Sequence, residues 1–289
     1  MSDSTRSIGD TVDSVTAGSV SVETSSDAVS DAQLLAGTVA AVKAAGSALR
    51  ERFGGVVPYR TREELMSALA ANDEAALDVL RPRLTALRPG ARWVEEELAG
   101  GALPPGEWWV VDPAEGNVNH LHGLPEWGVT ATLVRENQPV LTAVHLPLTG
   151  ETYTAVEGGG AQLDGRPLRV SPTADLALAL VATSQARPDE AEAVTRRIGS
   201  SITAMLLDAL VVRTSVPATL HLLNVAAGRM DAFWQFAGAR ADLLPGALLV
   251  QEAGGRVSDA EGRPWTTDSE SLLAAAPGVH ADAVATLSR

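Results

Sequence analysis

The spacing of apolar residues predicts a long helix near the start of the chain. After Asp31, the large apolar residues lie at the spacing of a helix with one buried face; they are Leu34, Leu35, Val39, Val42 and Leu49. Arginines in its last turn and the pair Gly54-Gly55 are expected to end it. Residues 1–30 are mostly Ser, Thr, Asp and Val, with few large apolar side chains, and are predicted to form a disordered tail.

A second helix is predicted to follow at once. Thr61 and Glu64 have the spacing of a capping box, in which polar side chains satisfy the free N–H groups at a helix start. The helix is expected to continue to the mid-80s, with Pro82 as the point where a break would fall.

The pattern then changes to short apolar runs, which indicate strands, and after Ser171 strands alternate with helices. The predicted strands are 107–112, 129–134, 140–146, 152–156, a short strand ending at 170, 176–183, 211–214, 231–236 and 272–276. The predicted helices of the second half are 190–198, 218–228, 243–253 and 281–287. Residues 31–170 are therefore expected to combine helices with a mostly antiparallel sheet, and residues 171–289 to form an α/β unit. This layering favours two sub-domains with a cleft between them.

Composition narrows the classes of function. The hydrophobic fraction of 45% is enough for a sizeable core, and the net charge of −14 argues against nucleic acids or acidic membranes as partners. The absence of cysteine excludes disulfides and thiolate metal sites. We see no apolar run near the ~20 residues of a membrane span and no secretory signal, so a cytoplasmic protein is expected.

The stretch 109–123, WVVDPAEGNVNHLHG, carries the candidate chemistry. Asp112 ends an apolar strand, and Pro113 is expected to turn the chain there because proline cannot extend a central strand. Glu115 follows three residues later, and Gly116 would let the backbone approach a ligand closely. Carboxylates beside free amide N–H groups suit a hard cation such as Mg²⁺ together with a phosphate. The alternative is an acidic surface turn.

Several segments resemble the motifs of the inositol monophosphatase family, and they occur in the order of that family. WVVDPAEGNVNHLHGLP resembles D-P-[IL]-D-G-T-x-N-[FY], and ADLLPGALLVQEAGG, at 241–255, resembles W-D-x-A-A-G-x-x-x-x-E-A-G-G. VAAGRMDAFW, at 225–234, fits V-A-x-G-x-x-D-x-[YF], while ANDEAAL and RWVEEE fall where the family has T-x-x-D and G-E-E. The matches run from about residue 31 to the end. They are specific for the superfamily, which includes bisphosphate nucleotidases and fructose bisphosphatases, and they do not specify a substrate.

The resemblance implies an α/β (α+β) fold, a layered αβαβα sandwich, and a Mg²⁺-dependent hydrolase of small phosphorylated molecules that forms a homodimer. The metal ligands it implies are Glu96, Asp112, Glu115 and Asp242. Glu95 and Glu97 compete with Glu96 for its place. Asp73 corresponds to the acid that helps to activate the attacking water, and the N–H groups of Gly116 and Asn117 are candidates for holding the phosphate. Glu252 is expected to be an exposed helix end rather than a ligand.

The chain departs from the family pattern at positions close to the expected chemistry. Glu115 is one methylene longer than the aspartate of the family, and Asn117 replaces a threonine whose hydroxyl pairs with the upstream aspartate to deprotonate water. An amide cannot relay a proton in that way. The remaining substitutions are Val216-Pro217 for Gly-Ser, His221 for an aspartate often found there, Ala241 for tryptophan, and His120 for an aromatic residue, with His122 two residues later.

Three hypotheses follow. The first is a metal-dependent phosphatase of a polyol, sugar or nucleotide phosphate. The second is an enzyme of a specialised pathway that has left phosphate hydrolysis and uses His120 and His221 as acid or base, with His221 on the substrate side. The third is a non-catalytic binding or scaffold protein. Trp127 and Trp234 are expected to be packing residues.

Overall fold

The computed structural model describes residues 30–56, 58–95, 101–184, 190–236 and 240–289. Its first two elements are the predicted long helices, α1 (Asp31–Arg52) and α2 (Arg62–Leu87). The Ser30 hydroxyl caps α1 by accepting from the Gln33 N–H, and the Thr61 hydroxyl caps α2. The expected break in α2 is absent, since the helix continues through its proline to Leu87.

Helix α1 is long and apolar enough, by length and composition alone, to cross a membrane. In the folded chain its apolar stripe is buried instead: Leu34, Val42 and Leu49 are fully covered and belong to the core shared with α2 and the first sheet. Burying this stripe against other elements is the usual way in which an amphipathic helix is stabilised.

The first sheet has seven strands in the spatial order of the sequence. They are β1 (Arg92–Trp93), β2 (Glu107–Glu115), β3 (Gly128–Arg135), β4 (Gln138–His145), β5 (Thr152–Val156), β6 (Gly160–Leu163) and β7 (Arg166–Pro167). A short helix, α3 (Asn117–Leu121), lies between β2 and β3. All neighbouring pairs are antiparallel except β1 with β2, which confirms the predicted mostly antiparallel sheet. Glu136 and Asn137 turn the chain between β3 and β4 with positive φ angles of 49° and 65°, as a tight hairpin turn requires.

The second sheet has five strands in the order β11-β12-β10-β8-β9. Its elements, with the helices between them, are β8 (Leu180–Thr183), α4 (Glu192–Asp208), β9 (Val211–Thr214), α5 (Ala218–Ala226), β10 (Ala232–Phe236), α6 (Arg240–Glu252), β11 (Arg256–Ser258), β12 (Ser271–Ala275) and α7 (His280–Leu287). The predicted short strand ending at 170 is wrong at its end, because the first sheet ends with β7 at Pro167. Two predicted boundaries in the second half of the chain are also wrong. The expected strand 176–183 begins as a 3-10 turn, Leu176–Leu178, and the expected helix 190–198 continues to Asp208.

The elements stack in five layers. The pair α1 and α2 covers one face of the first sheet, α5 and α6 lie between the two sheets, and α4 and α7 cover the far face of the second. This confirms the layered αβαβα architecture. The central helices approach closely, because a side chain at Gly246 of α6 would lie 2.3 Å from Leu222 of α5. The close contact holds α5 and α6 as one unit between the sheets.

Candidate active site

The acidic motif lies at the end of β2. The sequence predicted a turn at Pro113, and this prediction is wrong. The strand continues to Glu115, with a shift of register between Asp112 and Glu115. Such a β-bulge tolerates proline, since the bulged residue needs no N–H for the ladder. The turn comes at Gly116, where φ is +77° and a side chain would lie 2.6 Å from the Glu126 carbonyl oxygen. Only glycine fits that backbone conformation and that space.

Three carboxylates from separate elements meet beside this bulge. Asp112 and Glu115 come from β2 and Asp242 from the first turn of α6, and one oxygen of each lies within 4.8 Å of the others. Opposite ligands of one Mg²⁺ ion are roughly 4 Å apart and are preferably carboxylate or other hard oxygen atoms. The donor set and its spacing therefore fit a divalent cation. Glu115 is nearly inaccessible to solvent, with 1% of its surface exposed.

The fourth ligand implied by the sequence, Glu96, lies outside the described residues, as does Glu97. Glu95 is described and lies in a surface ion pair, with its carboxylate 2.9 Å from the Arg81 guanidinium. Exposed pairs of this kind contribute little to stability.

Thr219 contacts two of the three acidic residues. It was not a candidate at the level of the sequence. The hydroxyl oxygen of Thr219, in the first turn of α5, is 2.7 Å from a carboxylate oxygen of Glu115 and 2.7 Å from the backbone carbonyl oxygen of Asp242. Thr219 is fully buried. No local pattern could have indicated this role, because a threonine among apolar helical residues is usually a packing residue.

Asp73 and Asn117 form a pair, and Asn117 follows Glu115 by two residues in the chain. The Asn117 amide donates to one carboxylate oxygen of Asp73 at 2.7 Å and to the Leu69 carbonyl at 3.0 Å. Burial raises the pKa of the Asp73 carboxyl to about 6, although the hydrogen bond from Asn117 acts in the opposite direction. Asp73 thus changes protonation state much closer to neutrality than an exposed aspartate does.

A chain of hydrogen bonds fixes which end of the Asn117 amide faces Asp73. Arg52 can only donate, and its Nε lies 2.9 Å from the Asn72 oxygen. The Asn72 nitrogen therefore faces the oxygen of Asn117, at 2.8 Å, and turns the Asn117 nitrogen towards Asp73. Neither Arg52 nor Asn72 was a candidate at the level of the sequence.

His120 belongs to the same chain of hydrogen bonds. Its Nε2 lies 3.0 Å from the Leu49 carbonyl oxygen, which only accepts, and its Nδ1 lies 3.1 Å from the Asn72 amide nitrogen. Both ring nitrogens are thus engaged, and burial lowers the pKa of the imidazole. His122 is exposed and pairs with the Tyr59 hydroxyl at 2.7 Å.

His221 lies on α5, stacked on Phe233 with ring centroids 5.6 Å apart. Its Nε2 donates to the Ser215 carbonyl at 3.1 Å, and its buried Nδ1 has no hydrogen-bond partner among the described residues. Burial lowers the pKa of this imidazole, so the neutral form is favoured. Pro217, just before α5, lies next to Gly116. The amide of Asn119, another residue missed at the level of the sequence, bonds to the Val216 carbonyl at 2.9 Å.

The expectation that Glu252 is merely an exposed helix end is wrong. Its side chain is partly buried, and its two carboxylate oxygens accept from the Gly158 and Gly160 N–H groups at 2.9 and 2.7 Å. It therefore ties α6 to the turn between β5 and β6. Trp127 and Trp234 are buried, with 1% and 0% of their surfaces exposed, as expected of packing residues.

Known proteins resemble this chain over most of its length. Residues 30–289 match the model of the inositol monophosphatase family. The chain is 31% identical over 251 residues to inositol monophosphatase 3 of Solanum lycopersicum, covering 84% of this chain and 91% of that protein. It is 34% identical to an inositol-1-monophosphatase of Rhizobium meliloti, covering 81% and 88%. The crystal structure of extragenic suppressor protein suhB from Bartonella henselae superimposes with a TM-score of 0.75 at 25% identity, covering 89% of this chain and 99% of that one. The chain therefore belongs to the inositol monophosphatase family, whose members are phosphoric monoester hydrolases.

Proposed function

We propose that this protein hydrolyses a small phosphate monoester, of a polyol, sugar or nucleotide, in the cytoplasm and with Mg²⁺ as its cofactor. The observation that carries the proposal is the convergence of Asp112, Glu115 and Asp242, which bring one carboxylate oxygen each to within 4.8 Å of the others. Asn117, two residues after Glu115, forms a hydrogen bond with Asp73. Glu96 remains a candidate fourth ligand. A bound divalent cation would neutralise phosphate charge and lower the pKa of a bound water.

Asp73 is the proposed general base. Its raised pKa lies near neutral pH. At such a pH a general base is partly ionised and still binds a proton well enough to remove it from water. Asn117 is held with its N–H towards Asp73 and so orients one carboxylate oxygen, without accepting the proton itself. In this proposal the amide replaces the orienting role of the family threonine, and Asp73 alone takes the proton.

The backbone N–H groups of Gly116 and Asn117 remain the proposed phosphate contacts. They follow the last metal-ligand candidate of β2, at a turn where glycine lets the backbone come close to a ligand. The phosphate would then lie between these N–H groups and the carboxylates that hold the cation.

The geometry gives little support to proton transfer by histidine. Both ring nitrogens of His120 are engaged by Leu49 and Asn72, which suits a residue that holds Asn72 in place. The Nδ1 atom of His221 is closed to solvent, so contact with a substrate would require α5 to move. We therefore favour phosphate hydrolysis over a reaction that uses histidine as acid or base.

The test is phosphate release from inositol, sugar and nucleotide monophosphates, each with Mg²⁺ and with a chelator. We expect release that depends on Mg²⁺ for at least one substrate and is lost in Asp112→Asn and Asp242→Asn. The matched control is Asp282→Asn, which changes an exposed acid on α7 and should leave the rate unchanged. Absence of metal-dependent release from the whole panel would contradict the proposal.

We further propose that the protein is a homodimer, as is common in the family. Light scattering coupled to size-exclusion chromatography should give the mass of two chains, and a mass of one chain would refute this part of the proposal.

A further inference from the structure

We propose that Thr219 is a positioning residue of the metal site, which holds the Glu115 carboxylate in place through its hydroxyl. The inference rests on the proposed function, since it assigns Glu115 to a Mg²⁺ site. It goes further by naming the group that makes a glutamate usable at a position where the family pattern has an aspartate.

Thr219 and Glu115 are in direct contact. The Thr219 hydroxyl oxygen lies 2.7 Å from Oε2 of Glu115, and both residues are almost completely buried. Hydrogen bonds from a hydroxyl group to a carboxylate are short and strong, and leaving such a group buried without its hydrogen bond costs free energy. The contact therefore selects one orientation of the carboxylate.

The length of the Glu115 side chain makes such a contact necessary. Glu115 has one more rotatable bond than aspartate, so more conformational freedom must be lost before its oxygen can lie beside Asp112 and Asp242. Mg²⁺ requires nearly ideal octahedral geometry, which makes a loosely held ligand ineffective. A hydroxyl that fixes one carboxylate oxygen leaves the other at a defined position. An aspartate at 115 would be shorter by one methylene and would not reach the hydroxyl in the same way.

Thr219 is itself held in place by the packing of two helices. It lies in the first turn of α5, and its hydroxyl oxygen is also 2.7 Å from the Asp242 carbonyl oxygen of α6. Close packing of Gly246 against Leu222 holds these two helices together. The hydroxyl thus lies between two candidate ligand residues, on β2 and α6. Because it has a single hydrogen and both neighbouring oxygens are acceptors, that hydrogen is assigned to the charged carboxylate of Glu115. Partners of metal ligands that are placed in this way commonly change metal affinity 10- to 100-fold when they are replaced.

The experiment measures Mg²⁺ binding by calorimetry, with the metal alone and no substrate. Thr219→Val removes the hydroxyl and keeps the shape of the side chain, while Thr219→Ser keeps the hydroxyl. We expect Thr219→Val to weaken Mg²⁺ binding about tenfold or more and Thr219→Ser to stay close to wild type. In turnover assays, the Mg²⁺ concentration for half-maximal rate should rise more than kcat falls. Circular dichroism and thermal melting verify folding, and Thr219→Ala serves in place of the valine variant should that one fail to fold.

A double-mutant cycle makes the test specific for Glu115. In the Glu115→Asp background the loss of the Thr219 hydroxyl should have little effect on Mg²⁺ affinity, because the shorter side chain no longer depends on it. Equal Mg²⁺ affinity of wild type and Thr219→Val, or an equal loss in both backgrounds, would overturn the assignment and leave the proposed function standing. Failure of the proposed function is distinguishable, because wild type and Asp242→Asn would then bind Mg²⁺ equally poorly.

Discussion

Replacing Asp73 by asparagine is expected to stabilise the metal-free protein at neutral pH. Burial raises the pKa of Asp73 from 3.8 to about 6, so the folded chain holds this proton more tightly than the unfolded chain. The contribution of Asp73 to the free energy of unfolding therefore falls as the pH rises from about 4 to about 6, and this loss is complete above that range. Asparagine carries no charge and keeps an oxygen that can accept from Asn117, so the variant avoids this loss.

The size of the effect follows from the same pKa. One pH unit of difference in pKa corresponds to ~1.4 kcal/mol, so the rise from 3.8 to about 6 sets an upper bound of about 3 kcal/mol. Asp73 is only partly buried, and water screens an accessible group, which lowers the expectation to ~1–2 kcal/mol. For a chain of this size the melting temperature should then increase by about 2–6 °C.

The assay is thermal or urea unfolding in the presence of a chelator, at several pH values between 4 and 8. The control is Asp78→Asn, which makes the same substitution at an exposed position of α2 and should leave stability nearly unchanged. The gain for Asp73→Asn should shrink towards zero as the pH approaches 4, and the variant should have lost phosphate release. A variant that melts at or below the wild-type temperature at pH 7, or whose gain does not depend on pH, refutes the reasoning.

Two further predictions concern stability alone. Burial lowers the pKa of four of the five histidines, which are His120, His145, His221 and His280. Since the unfolded chain takes up these protons near pH 6.5, the contribution of the histidines to the free energy of unfolding should fall as the pH drops below that value. It is measured in the Asp73→Asn variant, which lacks the opposing effect of Asp73, and a urea midpoint of that variant that stays constant from pH 8 to 5 would contradict the prediction. Glu252→Gln should lower the free energy of unfolding by about 1–2 kcal/mol, because one of two backbone N–H groups then faces an amide nitrogen. Urea unfolding measures this free energy, and Glu157→Gln, at an exposed position, is the control. Equal stability of the two variants would show that the hydrogen bonds of Glu252 to the turn do not stabilise the fold.

Local pattern was sufficient to locate most of the helices and strands. The period of apolar residues in α1 reports burial of one helical face, and the polar residues at Glu136 and Asn137 form the turn of a hairpin. The pattern failed where an element is too short to show a period, as in β1 and β11. It also failed at Pro113, because pairing with β3 on one side continued the strand through a residue that usually ends one.

The sequence by itself determined which residues could do the chemistry: an acid pair beside a glycine in the segment 112–116, and a distant acid, Asp242, whose relevance came from resemblance to a family. Only the tertiary structure decided which atoms meet. Packing of α6 between the two sheets carries Asp242 to the end of β2, and packing of α5 against α6 brings Thr219 to Glu115. The physical reason is that secondary structure depends on neighbours in the chain, whereas a site depends on contacts between residues more than a hundred positions apart, as Glu115 and Thr219 are.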